Sequence, residues 1–225
     1  MIRPILPEAL PGSMEAVGRT PGATGGHDFA SLLTVASGES HFKLDAVNKS
    51  TGADGPFQFV RNTWLALMHD YGEEVGVKPA LVKQIHLDPT GRPVVAQPAV
   101  LQDLLALRHD PVLSARMEAK YLDVARQQLV HLLHREPTET ELHLSCLLGP
   151  AGAAHLLRTA ETHPSMPVDQ VVGAAAAANP SLFRHGDGRI RTAAEAILFV
   201  ADKYRSDKAH VQQMAALSSG SHSGT

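Results

Sequence analysis

The chain has few aromatic residues, one cysteine and no long apolar run. Aromatics make up 4% of its 225 residues, so a buried core must be built mostly from aliphatic side chains and alanine. The single cysteine, Cys146, excludes an intramolecular disulfide and leaves the redox compartment open. No stretch approaches the roughly 18 consecutive apolar residues of a membrane span, so none is predicted.

An excess of positive charge is also missing. The formal net charge is −3, which gives no reason to expect nucleic acid or an anionic membrane as a partner. The first residues contain one basic side chain, Arg3, and prolines interrupt their apolar positions. This start lacks the apolar region of a secretory signal, so no signal peptide is predicted.

The patterns along the chain predict a mostly α single domain with at most a small β-hairpin. Residues 1–27 are rich in Pro, Gly and Thr and are interpreted as a flexible leader. The domain is placed at 28–205, and 206–225 are interpreted as a helix end and a flexible tail. The hairpin candidate is 85–96, where Asp88-Pro89-Thr90-Gly91 supplies a turn.

Several of the predicted helices carry a capping or stop signal. Thr138 and Thr192 open capping boxes, and Gly149-Pro150 is expected to end the helix that Thr138 starts. The predicted helices begin after Asp28, at Asn62 or Thr63, at Pro111, after Thr138 and after Thr192, with two alanine-rich helices at 151–162 and 169–178 and the last helix reaching about Tyr204.

Glu39 is the candidate catalytic residue, because it stands where an apolar helix gives way to a loop. Cleavage of a glycosidic bond needs a proton for the leaving oxygen. A carboxyl in apolar surroundings has a raised pKa and carries a proton near neutral pH. The competing interpretation is an exposed glutamate at a helix end. The apolar neighbours that would form the pocket wall are Leu32, Leu33, Val35 and Phe42.

The loop after this helix has the chemistry of a ligand-binding turn. Gly52 and Gly55 permit a positive φ. Gln58 offers donors and an acceptor that suit sugar hydroxyls and N-acetyl groups. The alternation of Phe57, Gln58 and Phe59 predicts that Gln58 points away from the face that the two rings bury. The alternative is that Gln58 is an ordinary exposed residue between two core phenylalanines.

Three segments together resemble the soluble lytic transglycosylases of the lysozyme-like superfamily. They are Glu39-Ser40-His41-Phe42, Ala46-Val47-Asn48 and Thr51-Gly52-Ala53-Asp54-Gly55-Pro56-Phe57-Gln58. The resemblance is tight here and loose over 29–205. It implies a lysozyme-like fold, no cofactor and no metal. It also implies peptidoglycan glycan strands as the substrate, with action in the periplasm or cell wall.

The resemblance further implies that Glu39 is the only acid/base. It would protonate the oxygen between N-acetylmuramic acid and N-acetylglucosamine and then take a proton from the muramyl C6 hydroxyl, which closes a 1,6-anhydro ring. The candidate substrate-binding residues are Ser40, Asn48, Phe57, Gln58 and His143.

The chain departs from the family pattern in two places. Pro56-Phe57 stand where the family has Leu-Met. In the later Ala-Tyr-Asn motif, Cys146 falls at the tyrosine and Leu147 at the asparagine. A thiol is a poorer donor than a phenol, so His143, one turn earlier, is the alternative partner for Glu39.

Two other functions stay open. A muramidase on the same fold would need a second carboxylate, but Asp45 and Asp54 are interpreted as solvated turn residues, which favours the anhydro product. The second is a catalytically weakened wall-binding or secretion-assembly module, suggested by Cys146. Phage, flagellar and injectisome-type partners or export routes are all compatible with the sequence. The thirteen histidines show no metal-binding pattern.

Overall fold

The computed structural model describes residues 10–49 and 51–220, with only the backbone of Glu39 and of residues 218–220. The described chain is mostly α, as predicted. Its helices are α1 Gly12–Arg19, α2 Phe29–Ser40, α3 Arg61–Tyr71, α4 Pro79–Val82, α5 Pro98–Ala106, α6 Pro111–Leu133, α7 Glu139–Thr162, α8 Val168–Ala178, α9 Pro180–Phe183 and α10 Ala193–Gly220, with a 3₁₀ turn at Leu107–His109.

Two short antiparallel strand pairs complete the described secondary structure. β3 Ile85–Leu87 pairs with β4 Pro93–Val95, which confirms the predicted hairpin. Its turn forms because Asp88 Oδ1 accepts hydrogen bonds from two backbone N–H groups of the turn. β1 Val47–Asn48 pairs with β2 Ala53–Asp54 and was not predicted. This second pair shapes the loop that follows Glu39.

Both ends of the described chain are more helical than the sequence patterns predict. α1 lies inside the segment interpreted as a flexible leader, and its Met14 and Val17 are fully buried. α10 continues past Tyr204, because Val211 and Met214 extend its buried stripe. Residues 1–9 and 221–225 of the predicted leader and tail lie outside the described residues.

The chain divides into two compact units, whose described parts are residues 10–121 with 210–220 and residues 122–209. In the first unit, α3 packs against the β3–β4 hairpin and α5. The fully buried Trp64 of α3 donates from Nε1 to the Leu104 carbonyl at 2.8 Å. Its ring centroid lies 5.2 Å from that of Phe59. These contacts tie Phe59, at the end of the loop that follows Glu39, to α3, and they tie α3 to α5.

The second unit has the aliphatic core that the scarcity of aromatics predicts. Gly149 interrupts α7 with φ 69° and ψ 159°, and Pro150 then begins a new helical run, so the predicted stop appears as a kink. No helix of the described residues is long and apolar enough to cross a membrane. The buried core residues are Leu129, Leu142, Leu144, Ala153, Ala154, Leu156, Leu157, Val168, Ala176, Leu182, Phe183, Ala193, Ala196 and Val200.

The capping box at the start of α7 gives a stability prediction. Thr138 Oγ1 accepts from the Glu141 N–H at 3.3 Å, and Glu141 Oε2 accepts from the Thr138 N–H at 2.7 Å. Thr138→Ala removes one acceptor, so it should lower the free energy of unfolding by about 1 kcal/mol. Urea denaturation followed by circular dichroism measures this. Thr140→Ala in the same turn is the matched control, and an equal loss there would contradict the capping contribution.

Candidate functional site

Helix α2 ends in a left-handed turn directly after Ser40. His41 has φ 53° and Phe42 has φ 63°. The His41 N–H donates to the Ser37 carbonyl at 3.0 Å, and the Phe42 N–H donates to the Ala36 carbonyl at 3.4 Å. Two successive non-glycine residues in this region cost roughly 1–2 kcal/mol each, and such strain is concentrated at functional sites.

The turn fixes the backbone of Glu39 in the last turn of α2, while its side chain lies outside the described atoms. The residues predicted as an apolar wall, Leu32, Leu33, Val35 and Phe42, are all buried. On the exposed side, Gly38 faces open space, because a Cβ built there meets no atom within 4 Å. The helix therefore has a buried face, and at Gly38 its other face is open to solvent.

Ser40 is oriented toward the protein interior. Its hydroxyl donates to the Ala36 carbonyl at 3.0 Å, one turn back along α2, and the residue is buried. This arrangement does not support the predicted contact between Ser40 and a substrate, because the hydroxyl has little surface to offer.

Asn48 is brought into the loop as a turn-forming residue. Its carbonyl accepts from the Gly52 N–H at 2.8 Å, and its side-chain Oδ1 accepts from the Thr51 N–H at 3.3 Å. Gly52 has φ 71°, as the loop prediction requires. The Asn48 residue itself is exposed and keeps surface for a ligand.

Gln58 holds the loop together through its amide. Nε2 donates to the Ala46 carbonyl at 2.7 Å and to the Gly55 carbonyl at 2.9 Å, so both of its N–H groups are used. The side-chain carbonyl oxygen has no partner among the described residues, and it is the group that remains for a ligand. Phe57 and Phe59 are buried on either side. A sugar contact through the Phe57 ring is therefore not supported.

Arg108, in the 3₁₀ turn before α6, binds the same loop from the other side. Only 7% of the residue is exposed. Nη1 donates to the carbonyls of Phe59 at 2.9 Å and Gly52 at 3.3 Å, and Nη2 donates to Asp54 Oδ2 at 2.9 Å. Nε donates to the Leu105 carbonyl at 3.1 Å. Burial lowers the pKa of Arg108 and the charge of Asp54 opposes that change, so the ion pair keeps the guanidinium charged.

The prediction that Asp54 is a solvated turn residue is wrong. Its side chain is 15% exposed, and its second oxygen, Oδ1, lies 2.8 Å from His109 Nε2. With a cation or a ring nitrogen on each oxygen, Asp54 is poorly suited to activate water. Sequence patterns could not find this pair, because its members lie more than fifty residues apart. Asp45, by contrast, is exposed as predicted.

Gly55 is required where the loop meets this turn. Its φ is 81°, and a Cβ on it would lie 2.3 Å from the Arg108 carbonyl oxygen. A distance this short is far inside van der Waals contact, so any side chain would push the two backbones apart. The glycine of the motif thus has a steric reason as well as a conformational one.

His143 lies in the second unit, on α7. Its ring centroid is 4.8 Å from that of Tyr204, and its buried Nδ1 has no hydrogen-bond partner among the described residues. Burial lowers the pKa of His143 to about 4; Lys203 adds to this effect and Asp207 opposes it. Cys146, one turn on, directs its thiol to the Leu142 carbonyl at 3.6 Å. The predicted role of His143 as a partner of Glu39 stays a prediction.

The lowered pKa makes stability depend on pH. Below pH 6.5 the unfolded chain binds a proton that folded His143 accepts only near pH 4. The free energy of unfolding should therefore fall by roughly 2–3 kcal/mol as the pH decreases from 6.5 to 4. His143→Phe keeps a ring against Tyr204 and should flatten this part of a pH series of urea melts. His155→Phe, at an exposed position of α7, is the control, and an unchanged slope in His143→Phe would contradict the assignment.

No family model matches the chain. Within the described residues, no group of three or more His, Cys, Asp or Glu side chains is placed to hold a metal ion. The residues that the structure adds to the predicted site are Arg108 and His109. In the sequence, a basic pair directly before a helix N-cap does not predict that these two residues contact the loop.

Proposed function

We propose that this protein is a peptidoglycan lytic transglycosylase. One observation carries the proposal. In the segment that resembles this enzyme family, the positions and contacts of the key residues explain why these residue types are needed there. Glu39 stands in the last turn of α2, Gly55 is needed for a close backbone approach, and the Gln58 amide holds the loop closed. This loop follows the candidate acid along the chain, after the turn at the end of α2 and strand β1.

In the proposed reaction, Glu39 gives its proton to the glycosidic oxygen as the bond from muramyl C1 breaks. The N-acetylglucosamine unit leaves with a free hydroxyl. The muramyl C6 oxygen bonds to C1, and its proton returns to the Glu39 carboxylate. The acid is regenerated and no water is consumed, so one carboxyl serves both proton transfers. The free carbonyl oxygen of Gln58 and the exposed Asn48 are the loop groups offered to the glycan.

The state of Asp54 favours the lyase over a muramidase. An inverting hydrolase needs a second carboxylate roughly 6.5–9.5 Å from the acid to activate water. Asp54 is engaged by Arg108 and His109 through both oxygens, so neither oxygen is left free to position a water molecule. The proposed substrate lies outside the cytoplasmic membrane, so the proposed place of action is the periplasm or cell wall.

Product analysis tests the proposal. The purified protein is incubated with sacculi, and the soluble fragments are separated and identified by mass spectrometry. We expect 1,6-anhydro-muramyl ends. Reducing muramyl ends would instead indicate a muramidase. Binding to sacculi without release of any fragment would indicate a wall-binding module, and would overturn the proposed activity.

A further inference from the structure

Arg108 has a buried guanidinium, and the proposed reaction gives this side chain no role. It makes three contacts with the Gly-rich loop, defined here as residues 51–59, and a fourth with the end of α5. Its carboxylate partner, Asp54, belongs to the same loop. A buried guanidinium is costly unless it is paired and hydrogen-bonded, and here it is both.

We propose that Arg108 and Asp54 are positioning residues that hold the Gly-rich loop in the shape that receives the glycan, with His109 covering the pair at the surface. This inference rests on the proposed function. The loop also has hydrogen bonds of its own, among them those from the Gly55 N–H to the Ala46 carbonyl at 3.0 Å and from the Asp54 N–H to the Phe59 carbonyl at 3.3 Å. Arg108 adds the side-chain bonds that join the loop to the 3₁₀ turn.

The effect reaches the ligand-facing group through a short chain of contacts. Gln58 bonds to the Gly55 carbonyl, and Gly55 is packed directly on the Arg108 backbone. Loss of the Arg108–Asp54 pair would let the loop move away from the 3₁₀ turn and would displace the Gln58 carbonyl oxygen. Misplacement by about 1 Å at a site of this kind can cost about 10²-fold in rate.

The test compares Asp54→Ala with Asp54→Asn. The asparagine keeps an oxygen for Arg108, whereas the alanine removes both. On soluble glycan strands, Asp54→Ala should lower kcat/KM by about 10- to 100-fold, mainly through a higher KM, because the proton chemistry of Glu39 is untouched. Asp54→Asn should recover part of this loss. Asp70→Asn is the matched control, since Asp70 pairs with His69 at 2.7 Å on the exposed face of α3.

Hydrogen exchange separates a failure of this inference from a failure of the proposed function. In Asp54→Ala, the amides of residues 54, 55 and 58 should exchange faster than in the parent, whatever the enzyme does. If the parent releases no anhydro product, the proposed function fails and the exchange result still decides whether Arg108 and Asp54 hold the loop. Wild-type exchange in Asp54→Ala, or a wild-type KM in an active protein, would overturn the inference.

His109→Ala covers the case in which Asp54→Ala does not fold. The His109 side chain is 44% exposed, so its replacement should leave the fold intact. Loss of this one contact should raise KM by about two- to tenfold, the equivalent of one hydrogen bond. An unchanged KM together with unchanged loop exchange in this variant would also count against the positioning role.

Discussion

Glu39→Gln is expected to lower the release of anhydro-muramyl fragments from sacculi by about 10²- to 10⁴-fold, the usual contribution of a general acid–base group. Glutamine matches the shape of glutamate but neither donates the proton that the leaving oxygen needs nor accepts one from the C6 hydroxyl. The measurement is the rate at which anhydro ends appear, followed by mass spectrometry under conditions where the parent protein is linear in time.

The control for this variant is Glu73→Gln, an exposed position just after α3. It makes the same chemical change outside the loop and should leave the rate unchanged. Both variants should keep the thermal midpoint of the parent. Any loss of rate would then come from the missing acid and not from a loss of folded protein. If Glu39→Gln still lyses sacculi at the parental rate, Glu39 is not the acid and the mechanism proposed for this chain is wrong.

Gly55→Ala is expected to lower the free energy of unfolding by about 2–5 kcal/mol. A left-handed backbone costs an alanine roughly 1–2 kcal/mol, and forcing a methyl group into filled space costs roughly 1–3 kcal/mol more. That space is filled here, because the new Cβ would lie 2.3 Å from the Arg108 carbonyl oxygen. Urea denaturation measures the change, and glycan cleavage should fall with it as the loop is displaced.

Gly52→Ala separates the two causes. Gly52 lies in the same loop with φ 71°, but a Cβ there meets no atom within 4 Å. It should therefore cost only the conformational part, roughly 1–2 kcal/mol. If the two variants lose equal stability, the close approach of the 3₁₀ turn to Gly55 contributes nothing.

Structural features that depend on residues close together in the sequence could be predicted. The start of α2 after Asp28, the capping boxes at Thr138 and Thr192, and the hairpin around Asp88 each depend on contacts within four or five residues. A short pattern contains all the information for such a feature. The same holds for the glycines of the loop, whose positive φ values follow from turn chemistry.

What could not be predicted depends on contacts between distant parts of the chain. Asp54 has the pattern of a solvated turn residue, and only folding brings Arg108 and His109 to it. The donors of Gln58 were expected to face a ligand, but the carbonyls of Ala46 and Gly55 accept them. α1 was missed because its proline- and glycine-rich context hid the two buried positions Met14 and Val17.

The left-handed backbone at His41, Phe42 and Gln58 bears on how this protein can be engineered. A selection for heat resistance rewards changes that relieve conformational penalties, and glycine or asparagine at these positions would do so. His41 and Phe42 follow Glu39 closely along the chain, and Gln58 lies in the Gly-rich loop that comes after them. Substitutions at these positions would therefore raise thermal stability most easily, but they would also change the backbone geometry around the proposed acid. To raise stability without loss of activity, substitutions should instead improve packing in the buried parts of the two units.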